Sequence, residues 1–285
     1  MTILELLQRS AELTDSSTGV SAADVTDSPL LDTELLLCHA LDVSRTYLKT
    51  WPDREPTPEQ VHHFSALFQR RLSGEPIAYI LGYQGFWSLD LKVSEHTLIP
   101  RPETELLVEA ALDLQLPKQS SVLDLGTGTG AIALALARER SDWKITALDF
   151  QPQAVALAEE NRVAHKLDNV QILQGNWFAD LPADKFDLIL SNPPYIESND
   201  PHLSQGDVRF EPSSALVSGV KGFDDLIVVI DESVGFLKSN GWLIVEHGHD
   251  QGYGVRQLFT EAGFADIETR PDYNQTDRIT LGRLL

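Results

Sequence analysis

Residues 121–140 read SVLDLGTGTGAIALALARER. A short apolar run carries Asp124 near its end, three glycines follow at alternate positions, and a helix-forming stretch begins without a spacer. Few arrangements accept that order. A strand must stop, the backbone must turn tightly through Gly126, Gly128 and Gly130, and a helix must start at Ala131. The first N–H groups of such a helix face the crevice at the strand's carboxyl end, and bare glycine backbone lets a ligand come close. The spacing nearly matches a dinucleotide fingerprint, with Gly126, Gly128 and the small Ala131 at the expected offsets. On this loop alone a nicotinamide cofactor and S-adenosylmethionine both stay open.

The pattern around the loop sets the architecture. After TLIPRPETE, strand-like runs (SVLDLG, KITALDF, NVQILQG, FDLILSN, GWLIVEHG) alternate with helical ones (TGAIALALARER, PQAVALAEENRVAHK, FDDLIVVIDESVGFLK, GVRQLFTEAG). Such alternation predicts a doubly wound α/β sheet with ligands at the carboxyl ends of its strands. The tail, DIETRPDYNQTDRITLGRL, predicts an antiparallel pair at a sheet edge. The first 76 residues instead show helical spacing in TILELLQRSAEL, LLDTELLLCHAL and TPEQVHHFSALFQRRLSG, with Asp15–Pro29 as a loop. The aromatic stretch AYILGYQGFWSLDLKV predicts a β-hairpin, so residues 77–100 are expected to link a helical domain, 1–76, to a catalytic domain, 101–285.

Composition narrows the partners. The chain of 285 residues carries 43 acidic against 22 basic residues, a net charge of −21. A duplex-binding enzyme usually needs a basic face to displace phosphate counterions, so a small molecule or a protein is the expected substrate, with no direct nucleic-acid partner. No run of about 18 apolar residues is present, so no membrane span is expected. MTILELLQRS does not have the build of a secretory signal, and Cys38 is the single cysteine, so no internal disulfide forms. A cytoplasmic monomer is the expectation, with no metal site despite His247 and His249 in EHGHD.

Other strand ends carry chemistry. Asp149 closes the strand after the glycine loop, where an acid accepts hydrogen bonds from ribose hydroxyls; it could also cap the following helix. Asn176 or Trp177, in LQGNWFADLP, would lie beside an adenine. The fourth strand runs into Asn192-Pro193-Pro194-Tyr195. A dehydrogenase has no evident use for that sequence, but methyl transfer to a planar nitrogen does. Such a nitrogen moves toward tetrahedral as it attacks, and acceptors aimed at its N–H bonds favour that change. The Asn192 side-chain oxygen is one acceptor and the Pro193 carbonyl a second. The two prolines hold that carbonyl rigidly and remove a competing donor, while Tyr195 supplies a flat wall.

Together, DLGTGTG, Asp149 and NPPY resemble the class I S-adenosylmethionine-dependent methyltransferases that modify amino nitrogens, a group containing both adenine-N6 and glutamine-N5 enzymes. Longer stretches separate these. Gly74–Glu109, Ser191–Leu216, Glu246–Gly252 and Asp277–Arg283 closely resemble the PrmC/HemK family, over nearly the whole chain. The resemblance implies a Rossmann-like class I methyltransferase domain with a helical substrate-recognition domain before it. It implies methylation of the glutamine side-chain N5 in the Gly-Gly-Gln motif of class 1 peptide chain release factors, modulating translation termination. S-adenosyl-L-methionine would be consumed and S-adenosyl-L-homocysteine released. Carried over by residue, cofactor contacts fall on Gly126, Thr127, Gly128, Thr129, Gly130, Asp149, Trp177 and Asn192. The glutamine would be held by Asn192, Pro193, Pro194 and Tyr195. GNWF has Asn176 where the family more often has an acid, so the adenine contact is assigned to Trp177. Arg101–Glu105 would border the pocket, and Arg209 with Glu211 would pin the loop that follows NPPY, if they are not simply solvated. An adenine-N6 nucleic-acid methyltransferase is the alternative, and a non-catalytic nucleotide-binding protein a third reading.

Overall fold

The computed structural model describes residues 1–14, 26, 28–179, 181 and 185–285. Most of the expected Asp15–Pro29 loop lies outside them. The chain forms two compact units: Met1–Tyr83 with Pro201–Phe210, and Gln84–Asp200 with Glu211–Leu285. This division runs through the hairpin's first strand, and ten residues beyond NPPY belong with the helical unit.

The first unit contains α1 (Ile3–Gln8), α2 (Pro29–Leu41), α3 (Arg45–Thr50), α4 (Pro58–Leu72) and α5 (Ile77–Leu81). Thr2 and Thr57 close capping boxes with Glu5 and Gln60, and Pro58 occupies the first turn of α4, where its missing N–H costs nothing. Leu6, Leu36, Leu37, Leu48, Phe64 and Phe68 form its core. Two elements depart from the sequence reading. Periodicity does not predict α3, and Ile77–Leu81 is helical where the aromatic stretch predicts the start of the hairpin. Buried Arg71 donates from Nε to Asp32 Oδ2 at 2.7 Å and from Nη1 to Asp207 Oδ1 at 2.9 Å, which fastens the 201–210 segment to this unit.

The second unit begins with β1 (Tyr83–Phe86, whose first residue belongs to the helical unit) and β2 (Leu89–Lys92), paired with each other. Next come α6 (Glu105–Asp113), β3 (Ser121–Leu125), α7 (Ala131–Glu139), β4 (Lys144–Asp149), α8 (Pro152–His165), β5 (Val170–Gln174) and β6 (Phe186–Ser191). The remainder is α9 (Asp224–Phe236), β7 (Leu237–Glu246), α10 (Gly252–Glu261), β8 (Phe264–Pro271) and β9 (Asp277–Leu284). The seven-stranded sheet has the order β5-β4-β3-β6-β7-β9-β8. Strands β3 to β7 are parallel, and β9 runs antiparallel to both β7 and β8. The doubly wound sheet and its antiparallel tail are thus as expected; α6 is an addition. Side chains alternate across the sheet: Val122 and Leu188 enter one core, Leu123 and Ile189 the other. Among the described residues no helix is long and apolar enough to cross a membrane.

Candidate active site

The strand order reverses between β3 and β6, the position where open α/β sheets bind ligands. Register makes the site. Leu125 pairs with Leu148 on one side and with Ser191 on the other, and Ser191 pairs with Val245. The next residue on each strand is therefore Gly126, Asp149, Asn192 or Glu246, four strand ends in one row about 5 Å apart. A cavity of about 280 Å³ opens along this row. Its lining includes Gly126, Thr127, Gly128, Thr129, Asp149, Asn176, Trp177, Asn192 and Pro194, together with Thr104. Gly130, Pro193 and Tyr195, also named from sequence, are not among the lining residues.

Four N–H groups of the glycine loop are engaged within the protein. Gly126 and Thr127 N–H both donate to Leu148 O, Gly128 N–H to Asp149 Oδ2 at 2.8 Å, and Gly130 N–H to Thr127 O. A pyrophosphate needs such N–H groups free and a counter-charge nearby. The cavity is lined by two carboxylates, Asp149 and Asp225, and by no lysine or arginine among the described residues. This disfavours a dinucleotide and suits a ligand that is cationic and phosphate-free. Gly128 has φ +56°, and a Cβ there would meet nothing within 4 Å, so it would project into open space that a close-approaching ligand needs. Trp177 packs against the loop within the same cavity, 3.7 Å from where a Gly126 Cβ would lie. Buried Asn161 accepts from Lys92 N and donates to Thr129 O at 2.9 Å, tying the loop to the hairpin.

Comparison with known proteins agrees with this geometry. Residues 19–82 match the family model described as PrmC N-terminal domain, and residues 102–212 the one described as methyltransferase small domain. A release factor glutamine methyltransferase of Aliivibrio fischeri is 53% identical over 258 residues, covering 90% of this chain and 91% of the relative. That of Pseudomonas aeruginosa is 52% identical, covering 95% and 99%. The chain belongs to the release factor glutamine methyltransferase family. A solved methyltransferase from Pyrococcus furiosus, 16% identical with a TM-score of 0.54, covers 77% of this chain and 98% of its own and shares the fold.

As a member of this family the chain uses S-adenosylmethionine, and the acidic, phosphate-averse cavity fits that cation. Asp149 lines the cavity at the strand end beside the glycine loop. Each carboxylate oxygen already accepts one backbone N–H, from Gly128 and from Gln151 at 2.9 Å, and keeps lone pairs for more. It does not cap α8 in the ordinary sense, since the cap position is Gln151. Burial raises its pKa, while the N–H groups of Gln151, Gly128 and Phe150 pull it back down.

Family membership also frames residues that the sequence does not single out. Phe150 and the segment His96–Leu98 line the cavity, as do Ser214 and Ala215. Phe150 is 62% exposed despite its size, and that exposure in a cavity wall is visible only in three dimensions. Of Arg101–Glu105, only Thr104 lines the cavity. Glu211 does pin its loop, but through an ion pair with Arg101 and by accepting Ile99 N–H at 3.2 Å. Arg209 instead lies over the Phe210 ring. Buried His247 bonds Gly248 O and Thr280 Oγ1, each at 2.9 Å. Tyr195 turns its ring into the second core and donates from Oη to Glu246 Oε1 at 3.1 Å.

Asp124 lies under the loop with no exposed surface, and Thr127 Oγ1 donates to its Oδ2 at 2.6 Å. Its Oδ1 has no partner among the described residues. Burial pushes this carboxyl from 3.8 up to about 7, against the Thr127 hydroxyl and the Ala133 N–H, with Asp149 adding to the rise. Between those values the folded state holds a proton that the unfolded chain has released. The folded form therefore loses stability from this group as pH rises from about 4 to about 7. A carbon-13 titration should show the Asp124 carboxyl shifting near pH 7; a midpoint below about 5 would mean that burial does not dominate here.

Proposed function

We propose that this enzyme transfers a methyl group from S-adenosylmethionine to the side-chain N5 of the glutamine in the Gly-Gly-Gln motif of class 1 peptide chain release factors. The family names the reaction class and the release factor glutamine. The single observation that carries the atomic reading is the row of strand ends, which sets Asn192 in the same cavity wall as the cofactor loop and Asp149. S-adenosylmethionine, when bound, supplies an electrophilic methyl group.

The roles follow from chemistry. Asn192 Oδ1, in the cavity wall, accepts an N–H of the glutamine amide, and the carbonyl of Pro193, a residue that does not itself line the cavity, is read as the acceptor of the other. Both favour the pyramidal, partly positive nitrogen of the transition state over the planar amide. Proline at 193 and 194 fixes the local backbone, and Pro194 also faces the cavity. No strong base is required, because the amine proton becomes acidic once the fourth bond forms. Tyr195 supports the pocket from behind rather than walling it, since its hydroxyl is held by Glu246. Gly222 permits this: at φ +71° a Cβ there would lie 2.3 Å from Tyr195 O.

A net charge of −21 and a cavity without lysine or arginine suit a protein substrate better than a flipped nucleic-acid base. The helical unit, which takes in residues 201–210 just after NPPY, is read as a docking surface for the rest of the factor. Purified protein, labelled S-adenosylmethionine and a class 1 release factor should give label on the factor alone. Label should disappear when the Gly-Gly-Gln glutamine is replaced. No transfer, or label that survives the replacement, overturns the assignment.

A further inference from the structure

We propose that Thr104 and Glu246 are positioning residues that set the direction of the Asn192 carboxamide, turning its Oδ1 toward the substrate nitrogen and its NH2 away. This rests on reading the Asn192 end of the cavity as the glutamine site. The two ends of a carboxamide are nearly equal in shape but opposite in hydrogen bonding. With the wrong end forward, Asn192 would present N–H donors to the N–H donors of its substrate, and the pocket would repel what it must hold.

Two hydrogen bonds and one unpartnered buried oxygen bear on the choice. Asn192 Nδ2 donates to Thr104 Oγ1 at 3.2 Å. A hydroxyl has one proton, and Thr104 must send it onward. The Glu246 carboxyl lies at the strand end neighbouring Asn192; burial raises its pKa, and the Thr104 hydroxyl is the first of the groups that pull it back down. Glu246 is fully buried; its Oε1 is taken by Tyr195 Oη, and its Oε2 has no partner among the described residues. In either protonation state a carboxyl keeps an oxygen able to accept. The proton order therefore runs from Asn192 to Thr104 to Glu246. Reversing the carboxamide would draw the Thr104 proton to Asn192 Oδ1, away from the buried carboxyl oxygen that has no other donor.

The same carboxyl holds the next part of the motif. Tyr195 is tied to Glu246 through its hydroxyl, and its backbone carbonyl accepts from Gln251 Nε2 at 3.1 Å. One buried acid thus orients both ends of Asn192–Tyr195. Thr104 stands just before α6, in the short turn Pro102–Thr104, and is itself buried, so its hydroxyl has little access to water.

The test compares Thr104→Val, which keeps the shape and loses the hydroxyl, with Thr104→Ser, which keeps the hydroxyl. In release-factor methylation, Thr104→Val should lower kcat by about tenfold or more, with the KM for the factor and the Kd for S-adenosylmethionine within about twofold. Thr104→Ser should recover most of the loss. Proton–nitrogen NMR provides a readout that needs no turnover. The Asn192 side-chain NH2 signals should move in Thr104→Val and return toward their original positions in Thr104→Ser. Wild-type turnover in Thr104→Val, equal losses in both variants, or unmoved Asn192 signals would overturn the positioning role. Failure of the wild type to methylate the factor would instead overturn the substrate reading, and the NMR comparison would still decide the orientation.

Discussion

Replacing Asn192 by alanine lowers kcat for glutamine methylation by about a hundredfold, corresponding to ~3 kcal/mol of lost transition-state stabilisation. Cofactor affinity changes much less. The expectation follows from the division of the strand-end row. Asn192 follows β6, on the side of the glycine loop away from Asp149, so its side chain meets the cavity at a different point from the ribose acceptor. Alanine removes the Oδ1 acceptor and the Nδ2 donor together. Thr104 Oγ1 loses its donor but stays beside Glu246, so no buried charge is stranded and the fold should persist. Steady-state kinetics with a release factor, alongside calorimetric binding of S-adenosylmethionine, separates the two effects. Full turnover by the alanine variant would sink the account of the amide pocket. A large loss of cofactor affinity with kcat unchanged would place Asn192 on the wrong ligand.

Replacing Asp149 by alanine should do the reverse: weaken S-adenosylmethionine binding by roughly ten- to a hundredfold and leave kcat at saturating cofactor far less changed. Hydrogen bonds to a charged group contribute roughly 1.5–3 kcal/mol each. Two losses combine here. With Asp149 read as the ribose acceptor, the ribose hydroxyls lose their partner, and Gly128 and Gln151 N–H lose the oxygens that hold the loop against β4. Asp149→Asn sharpens the reading, because an amide oxygen can serve one of those N–H groups while the NH2 opposes the other. It should bind cofactor less well than wild type, by calorimetry, despite its nearly equal volume. An unchanged dissociation constant in both variants would remove Asp149 from the cofactor site.

Asn192 and Asp149 are both legible in the amino-acid sequence, and so is the glycine loop, because each is a break in a local pattern. An acid or an amide at the end of an apolar strand interrupts periodicity and has no reason in packing. The α6 helix is harder to read, since ELLVEAALD begins directly after a loop-like motif and its helical face is short. The α3 helix of six residues is too brief to show periodicity. Tyr195 reads as a wall for a related reason: an aromatic beside a site looks like a ligand contact, whereas its phenol is held by Glu246, fifty-one positions later in the chain.

Sequence alone determined the doubly wound sheet, the loop at its centre and the residue types delivered to each strand end, because these rest on spacing within a few turns of chain. Longer stretches resembling one family narrowed the substrate to glutamine. Tertiary structure decided what those residues can do. The strand register lines up Asp149, Gly126, Asn192 and Glu246, and no local pattern encodes which residue of one strand faces which of another. Folding also commits the loop's N–H groups to Leu148 and Asp149 instead of to a phosphate. It sets a buried acid behind the amide as well. Hydrogen-bond direction depends on where the last proton in a chain of groups can go, and that is a property of contacts distant in sequence.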